Sequence, residues 1–124
     1  MADSHMLIEN IKPNFEFKDE RGTLVQLVRE GYRQFNVITS KKYVVRGNHY
    51  HRHNREAFYV VSGKFRLDAS LGEEHESHEY SAGDMFVIPP LVVHSFSYLE
   101  DTLLVSMYSE GVEEKDGSKD IVAV

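Results

Sequence analysis

The sequence contains no cysteine, which excludes a disulfide framework and any metal site built on thiolates. Its longest apolar run is far shorter than the roughly 20 residues that a membrane-spanning helix needs. The N-terminus also lacks the basic region followed by an apolar stretch that marks a signal peptide. These absences predict a cytoplasmic protein with no membrane partner.

A basic excess is missing as well, since the net charge of −6 argues against a nucleic-acid-binding protein. The 124 residues, 41% of them apolar and 27% charged, are typical of one globular domain. Residues 1–6 are expected to be a cloning remnant ending at a native start, so His5 is set aside. We predict a domain over residues 7–112 and a solvated tail over residues 113–124, whose apolar end docks on a partner subunit.

The charge is unevenly spread along the chain. Residues 41–66 hold seven basic side chains and a single acid, Glu56. Such a segment on an acidic protein indicates an anionic small ligand drawn in by the local field. A chance cluster of solvated charges at strand edges explains the same pattern, and composition alone leaves both interpretations open.

Short segments rich in β-branched and aromatic residues alternate with turn signals and predict strands. They are residues 24–28, 35–38, 43–45, 57–61, 65–67, 85–88, 92–98 and 103–108. No convincing amphipathic helix interrupts them, so the fold class is all-β, a sandwich or a barrel. The acidic stretch 72–80 is expected to be a loop with two solvated histidines, His75 and His78.

Four side chains suited to a metal come from two separate regions. His49 and His51 alternate along an extended chain and therefore project from the same face. Glu56 opens the next strand after a short turn and can return to the same place. His94 shares one face of a later strand with Tyr98, and that face must be buried if His94 is to meet the first group.

Three imidazoles and a carboxylate form a ligand set for one divalent transition metal, such as zinc, nickel, iron or manganese. A lone histidine on a strand is more simply explained as an ordinary polar residue. The combined spacing favours the site, and the sequence predicts a metal on His49, His51, Glu56 and His94.

These residues resemble the cupin family. The first cupin motif is His-x-His, three or four residues, Glu, six residues, Gly, and His49, His51, Glu56 and Gly63 have that spacing. The resemblance implies a double-stranded β-helix, or jelly-roll barrel, with the metal inside.

The second cupin motif is Gly, five residues, Pro-x-Gly, two residues, His. The chain has Gly83, Pro89 and His94 at the matching positions, but Leu91 replaces the middle glycine. The glycine that usually lies well before the first histidine is displaced to Gly47. Neither departure falls on a ligand position, so both are expected to affect only the geometry of the local turns.

Two further strings resemble cupins that act on nucleotide-linked sugars, namely deoxysugar 3,5-epimerases, 3,4-ketoisomerases and the cupin domain of capsular-polysaccharide reductases. They are the Asp-Glu-Arg-Gly string at residues 19–22 and the Arg-Gly-Asn-His-Tyr-His string at residues 46–51. The resemblance implies an isomerase or epimerase in polysaccharide biosynthesis. It assigns the diphosphate to Arg21, with Arg46 and Arg55 as further binders of an anionic sugar, and the base role to His49.

The two predicted roles of His49 conflict. A keto sugar has acidified C–H bonds beside its carbonyl, and a histidine base can remove the proton to leave an enolate. A histidine bound to a metal through its free nitrogen cannot do so. His49 is therefore the base only in a metal-free site. Otherwise His53, expected at the rim, or Tyr98 moves the proton, while Tyr59 is expected on the outside.

Two other functions stay open. Iron or manganese dioxygenases also use three histidines and a glutamate, and Phe58, Met85, Phe86 and Phe96 could line an apolar oxygen pocket. A non-catalytic small-molecule-binding cupin is the other alternative.

We also expect a homodimer formed through the outer sheet. The residues with the parity for an apolar outer face are Tyr43, Val45, Tyr59 and Val61.

Overall fold

The computed structural model describes residues 6–124, so most of the predicted cloning remnant lies outside the described residues. The described part is built from strands and contains no helix, which confirms the all-β prediction. No helix there is long and apolar enough to cross a membrane. The strands are β1 (Glu9–Ile11), β2 (Phe15–Asp19), β3 (Gly22–Gln26), β4 (Gln34–Ser40), β5 (Val45–Tyr50), β6 (Glu56–Ser62), β7 (Lys64–Leu71), β8 (Glu74–Ser81), β9 (Met85–Ile88), β10 (Val93–Tyr98), β11 (Thr102–Tyr108) and β12 (Val122–Ala123).

Two five-stranded antiparallel sheets make the body of the protein. The first has the order β1-β9-β6-β11-β4, the second has the order β12-β5-β10-β7-β8, and β2 and β3 form a separate hairpin. Alternation along β10 buries His94, Phe96 and Tyr98 between the sheets, on the face that the sequence predicted. The same strand therefore contributes to both the core and the histidine group.

Aromatic rings fill much of the space between the sheets. The ring of Phe86 stacks on Tyr80 with centroids 4.2 Å apart and on Phe58 at 5.1 Å, while Phe65 contacts Phe86 and Phe96. Aromatic side chains bury a large area each and dominate the energetics of such a core.

A smaller apolar cluster lies on the outer face of the first sheet. Its buried members are Ala57, Met85, Val87 and Met107, and the segment that carries Leu27, Val28 and Tyr32 packs over them. Tyr59 packs there too, whereas Tyr43, Val45 and Val61 are exposed as expected.

The acidic stretch predicted as a loop is instead strand β8. It pairs with β7 along its whole length, from Lys64 opposite Ser81 to Leu71 opposite Glu74. Charged residues have weak strand propensity, and pairing with a well-formed neighbour overrides it. One side chain has a structural task, because the carboxylate of Glu76 accepts hydrogen bonds from the backbone amides of Leu7 and Ile8.

The C-terminal segment is also more ordered than predicted. Strand β12 pairs with β5 of the same chain, with Ala123 opposite His49, where the sequence suggested docking on a partner subunit. Asp120, expected in a solvated tail, is buried. An apolar end on an acidic tail thus completes the edge of the second sheet within its own chain.

Candidate functional site

The structure brings the four predicted ligand residues together at one place inside the barrel. The ring centroids of His49 and His94 are 4.7 Å apart, those of His49 and His51 are 5.1 Å apart, and those of His51 and His94 are 5.5 Å apart. One nitrogen from each ring lies within 4.8 Å of the others. Oε1 of Glu56 is 3.1 Å from Nε2 of His51 and 4.0 Å from Nε2 of His94. We call these four residues the histidine cluster.

Gly47 explains how β5 comes so close to β10. Its φ is +101°, and a Cβ there would lie 2.8 Å from the carbonyl oxygen of His94. The register of β10 against β5 shifts between His94 and Ser95, which marks a β-bulge. A glycine at this position lets the two histidine-bearing strands meet, since any side chain would strike the backbone.

Leu91, where the cupin motif has glycine, adopts a φ of +75°. The left-handed region costs a residue with a Cβ about 1–2 kcal/mol. Its backbone amide still donates to the carbonyl oxygen of His51 at 2.7 Å. The turn therefore keeps its shape despite the substitution, at a cost in stability.

Backbone carbonyls orient two of the three imidazoles. Nδ1 of His94 donates to the carbonyl of Val92 at 3.0 Å, and Nδ1 of His51 donates to the carbonyl of Asp120 at 2.5 Å. A carbonyl oxygen can only accept, so both Nδ1 atoms carry the hydrogen and both Nε2 atoms face the cluster. Nε2 of His94 is buried and has no hydrogen-bond partner among residues 6–124.

Burial governs the protonation of the cluster. It lowers the pKa of His94 to about 3 and also lowers the pKa of His49, so both rings are neutral at pH 7. Burial raises the pKa of Glu56. Burial also lowers the pKa of His51, but its hydrogen bonds to Glu56 and Asp120 outweigh that effect and leave the pKa raised. A proton on either Glu56 or Nε2 of His51 satisfies the 3.1 Å hydrogen bond between them.

A cavity of about 110 Å³ opens onto the cluster. Its lining combines polar and apolar side chains, namely Ile38, Arg46, His49, Glu56, Phe58, His94, Phe96, Tyr98, Leu104 and Tyr108, with Gly47. Burial raises the pKa of Tyr98, and it raises the pKa of Tyr108 further with help from Glu56. Both hydroxyl groups therefore stay protonated and able to donate at neutral pH.

Residues 17–118 match the family model of the polysaccharide biosynthesis C-terminal domain, which covers most of the chain. The chain belongs to this family. No curated protein sequence matches it significantly.

Solved structures similar to this polysaccharide biosynthesis domain confirm the cupin jelly-roll fold. A mutant of the 3,4-ketoisomerase QdtA from Thermoanaerobacterium thermosaccharolyticum, in complex with TDP-4-keto-6-deoxyglucose, aligns over 98% of this chain and 90% of its own, with a TM-score of 0.80 and 20% identity. The dTDP-4-dehydrorhamnose 3,5-epimerase from Sulfolobus tokodaii aligns over 86% and 72%, with a TM-score of 0.72 and 26% identity. The capsular polysaccharide assembling protein CapF from Staphylococcus aureus aligns over 89% of this chain but only 34% of its own, with a TM-score of 0.64 and 25% identity.

Some predicted site residues of the domain lie elsewhere. Arg46 lines the cavity and its guanidinium donates to Ser40 Oγ at 2.8 Å, but Arg21 and Arg55 do not line it. Arg21 pairs with Asp19 at the exposed end of the β2–β3 hairpin, and Arg55 pairs with Glu9 at 2.6 Å.

His53, predicted as a proton carrier, is not among the residues that line the cavity. Its side chain is 57% exposed, and Nε2 lies 3.8 Å from the carboxylate of Glu114. The short turn that returns Glu56 to the cluster places His53 at its outer side, and His53 serves the fold through its backbone amide. The cavity holds Tyr98 as expected.

Tyr108 is a cavity residue that the sequence analysis missed. It stands opposite Glu56 in the pairing of β11 with β6, and its ring lies 5.2 Å from that of His51. A tyrosine at the end of an apolar strand carries no local signal of function. The signal is the strand register, which places it across from a predicted ligand.

Of the four apolar residues considered for an oxygen pocket, two line the cavity and two lie elsewhere. Phe58 and Phe96 line the cavity, whereas Phe86 is fully buried in the aromatic core and Met85 belongs to the outer cluster. The cavity wall is therefore less apolar than an oxygen pocket built from all four would be.

Proposed function

We propose that this chain binds a nucleotide-linked keto sugar at the cavity and isomerises or epimerises it by moving a proton beside the carbonyl. The observation that carries the proposal is the cavity itself, which joins neutral His49, protonated Tyr98 and Tyr108, and the cation of Arg46. The similarity to a 3,4-ketoisomerase with a bound 4-keto sugar and to a 3,5-epimerase supports the same class of reaction.

In a metal-free site the proton can be followed from group to group. His49 is neutral and accepts the proton from the carbon beside the carbonyl, which leaves an enolate. The hydroxyl of Tyr98 donates a hydrogen bond to the enolate oxygen as its charge develops. Return of the proton to the other face of the same carbon gives the epimer. The shifted ketone also needs the hydroxyl proton on the deprotonated carbon to move to the enolate oxygen, after which the former carbonyl carbon takes up the returning proton.

The cluster also fits a divalent transition metal, zinc, nickel, iron or manganese. The unpaired Nε2 of buried His94 is the kind of donor that such an ion uses, and His49, His51 and Glu56 would complete the set. The ion would supply Lewis-acid stabilisation of the enolate oxygen. His49 would then be occupied, and Tyr98 is the remaining proton-moving side chain in the cavity among those predicted.

The test uses two tyrosines in matched variants. Incubation with a TDP-linked 4-keto-6-deoxy sugar in D₂O should place deuterium beside the carbonyl, as read by mass spectrometry. We expect Tyr98→Phe to slow this exchange about 100-fold, as for loss of a general acid. Tyr59→Phe, outside the cavity, should leave it within about twofold, since it removes no group that the reaction uses.

Other outcomes point elsewhere. Absence of exchange at any carbon of several nucleotide-linked sugars contradicts the proposal, and tight binding without exchange favours a non-catalytic binding protein. Bound iron with ascorbate-dependent oxygen uptake favours the dioxygenase. Elemental analysis of wild type and His49→Gln decides between the two roles of His49, because the ligand role requires metal in the wild type that the variant loses, whereas the base role requires a wild type without metal.

We propose that the protein is a homodimer. The β2–β3 hairpin exposes Phe15, Phe17 and Leu24 at 51%, 48% and 58%, and Phe35 and Val37 of edge strand β4 are exposed too. Apolar surfaces of this kind favour association, and a second copy offers a matching set.

Light scattering at micromolar concentration tests this proposal. We expect a dimer for the wild type and a monomer for Phe17→Glu. Leu71→Glu, at an exposed apolar position outside these surfaces, should remain a dimer. A monomeric wild type contradicts the proposal.

A further inference from the structure

The strongest unassigned feature is the buried carboxylate of Asp120. It accepts hydrogen bonds from the backbone amides of Arg52 at 2.7 Å, His53 at 3.0 Å and Asn54 at 3.1 Å, and from the side-chain amide of Asn54 at 2.8 Å. These donors belong to the turn that joins His51, the first residue after β5, to Glu56. Asp120 therefore ties the C-terminal segment to the turn on which the histidine cluster depends.

The backbone of the same residue reaches the cluster directly. The carbonyl oxygen of Asp120 accepts the hydrogen bond from Nδ1 of His51 at 2.5 Å. Because the carboxylate holds residue 120 against the turn, this carbonyl cannot move away without breaking four further hydrogen bonds. Pairing of Ala123 with His49 continues the attachment along β5.

Asn54 makes the arrangement rigid from the other side. Its side-chain oxygen accepts the amides of Glu110 and Gly111, and its side-chain nitrogen donates to the carbonyl of Gly111 as well as to Asp120. The turn, the end of β11 and the C-terminal segment are thus joined through two buried polar side chains, Asn54 and Asp120.

We propose that Asp120 is a positioning residue that keeps the hydrogen of His51 on Nδ1, so that Nε2 always faces Glu56 and the cavity. The tautomer of an imidazole is set by the hydrogen bond that its other nitrogen makes. Its effect on turnover rests on the proposed function, whereas its effect on the His51 ring does not.

The direct test is the ¹⁵N spectrum of His51 in metal-free protein. Wild type should show Nδ1 protonated in a single state. In Asp120→Ala the carbonyl is released, and His51 should show a mixture of tautomers. Asp120→Asn keeps one oxygen that can accept from the amides and should restore most of the wild-type signal.

Asp116→Ala is the matched control. This acid lies in the same segment and is exposed, and its carboxylate accepts from the amide and the hydroxyl of Ser118, close by in the chain. The His51 spectrum of the control should equal that of the wild type. An unchanged His51 spectrum in Asp120→Ala overturns the proposal.

Kinetics supply the second readout. Removing a partner that orients a site imidazole typically costs about 10–100-fold in activity, and we expect that loss in kcat for Asp120→Ala with KM within about threefold. A lower melting temperature with unchanged kcat and an unchanged His51 spectrum would make Asp120 purely structural and overturn the proposal. If Asp120→Ala fails to fold, Asp120→Asn carries the test, because a single side-chain oxygen cannot accept all four hydrogen bonds. A minor second tautomer of His51 and a partial loss of kcat are then expected, and a spectrum and kcat equal to wild type overturn the proposal. Absence of turnover in the wild type would refute the proposed function while the spectra still decide the role of Asp120.

Discussion

The inside of this barrel has two regions that are held together by different means. In the aromatic region, the ring of Tyr80 stacks on Phe86, and the ring of Phe65 packs against both at a tilt. In the histidine cluster, the rings of His49 and His94 stand beside a cavity, and one buried nitrogen has no partner. A buried polar atom without a hydrogen bond costs stability, so the aromatic region must offset what the cluster loses.

Strand β10 runs through both regions and shows that the division is local. His94 belongs to the cluster, and Phe96 two residues later contacts Phe65 of the aromatic region. The inward side chains that serve chemistry and cohesion thus follow one another along a single strand, since Tyr98, two residues after Phe96, lines the cavity again. Substitutions should therefore affect one property far more than the other.

The largest expected effect on stability comes from breaking the aromatic region. Phe86→Ala removes a fully buried ring that stacks on Tyr80 and Phe58 and should lower the free energy of unfolding by about 3–5 kcal/mol. Urea denaturation measures the loss. Leu71→Ala, at a partly exposed position, is the control and should cost less than about 1 kcal/mol. A loss below 1 kcal/mol for Phe86→Ala would show that the region is not the source of cohesion.

The next effect concerns activity in the cluster. Glu56→Gln keeps the shape of the side chain but replaces the carboxyl group that is hydrogen-bonded to His51 and Tyr108. We expect deuterium exchange into the keto sugar to fall about 100-fold. The melting temperature should change little, because a buried carboxylate already carries a desolvation cost. Full activity with a normal fold would show that Glu56 is only a structural partner of His51.

A smaller effect on stability is expected from Glu76, which anchors the chain beside the aromatic region as Asp120 does beside the histidine cluster. Burial raises the pKa of Glu76, but hydrogen bonds from His78 and the amides of Leu7 and Ile8 outweigh that effect and hold it below the ordinary value of 4.5. The ionised form therefore stabilises the fold above pH 4.5, and the contribution disappears as the pH falls through the lowered pKa.

Glu76→Gln tests this contribution. It should lose about 1–2 kcal/mol at pH 7, and the difference from wild type should shrink in acid. Urea denaturation at pH 7 and at a series of pH values below 4.5 measures the change. Glu79→Gln on the same strand, whose exposed carboxylate lies 3.7 Å from Lys64, should behave as wild type at each pH. A pH-independent difference for Glu76→Gln would contradict the assignment.

The smallest expected effect is a gain in folding stability. Leu91→Gly relieves the positive φ and should raise the free energy of unfolding by about 0.5–1 kcal/mol, because relief of strain exceeds the added chain entropy. Leu99→Gly, which has an ordinary φ, should lower stability instead. Thermal unfolding of the two variants tests the sign. Unchanged deuterium exchange in Leu91→Gly would show that the backbone strain at residue 91 makes no contribution to the reaction.

Much of the fold and of the cluster could be predicted from short-range pattern. Alternation in β10 predicted which residues face inward, and the spacing of His49, His51 and Glu56 predicted their convergence. Strand β8 could not be predicted, because its charged residues become a strand only through pairing with β7. His53 was misplaced for a related reason, since two histidines of similar spacing differ only in which side of a turn they occupy.

What the sequence by itself determined is the all-β class and the identity of the histidine cluster, because alternation and motif spacing act over a few residues. What only the tertiary structure decided is which other residues contact the histidine cluster. Tyr108 meets Glu56 through the register of two strands, and Asp120 meets His51 across 69 residues of chain. No local pattern encodes such contacts, since they arise when separate strands are packed to bury the same apolar core.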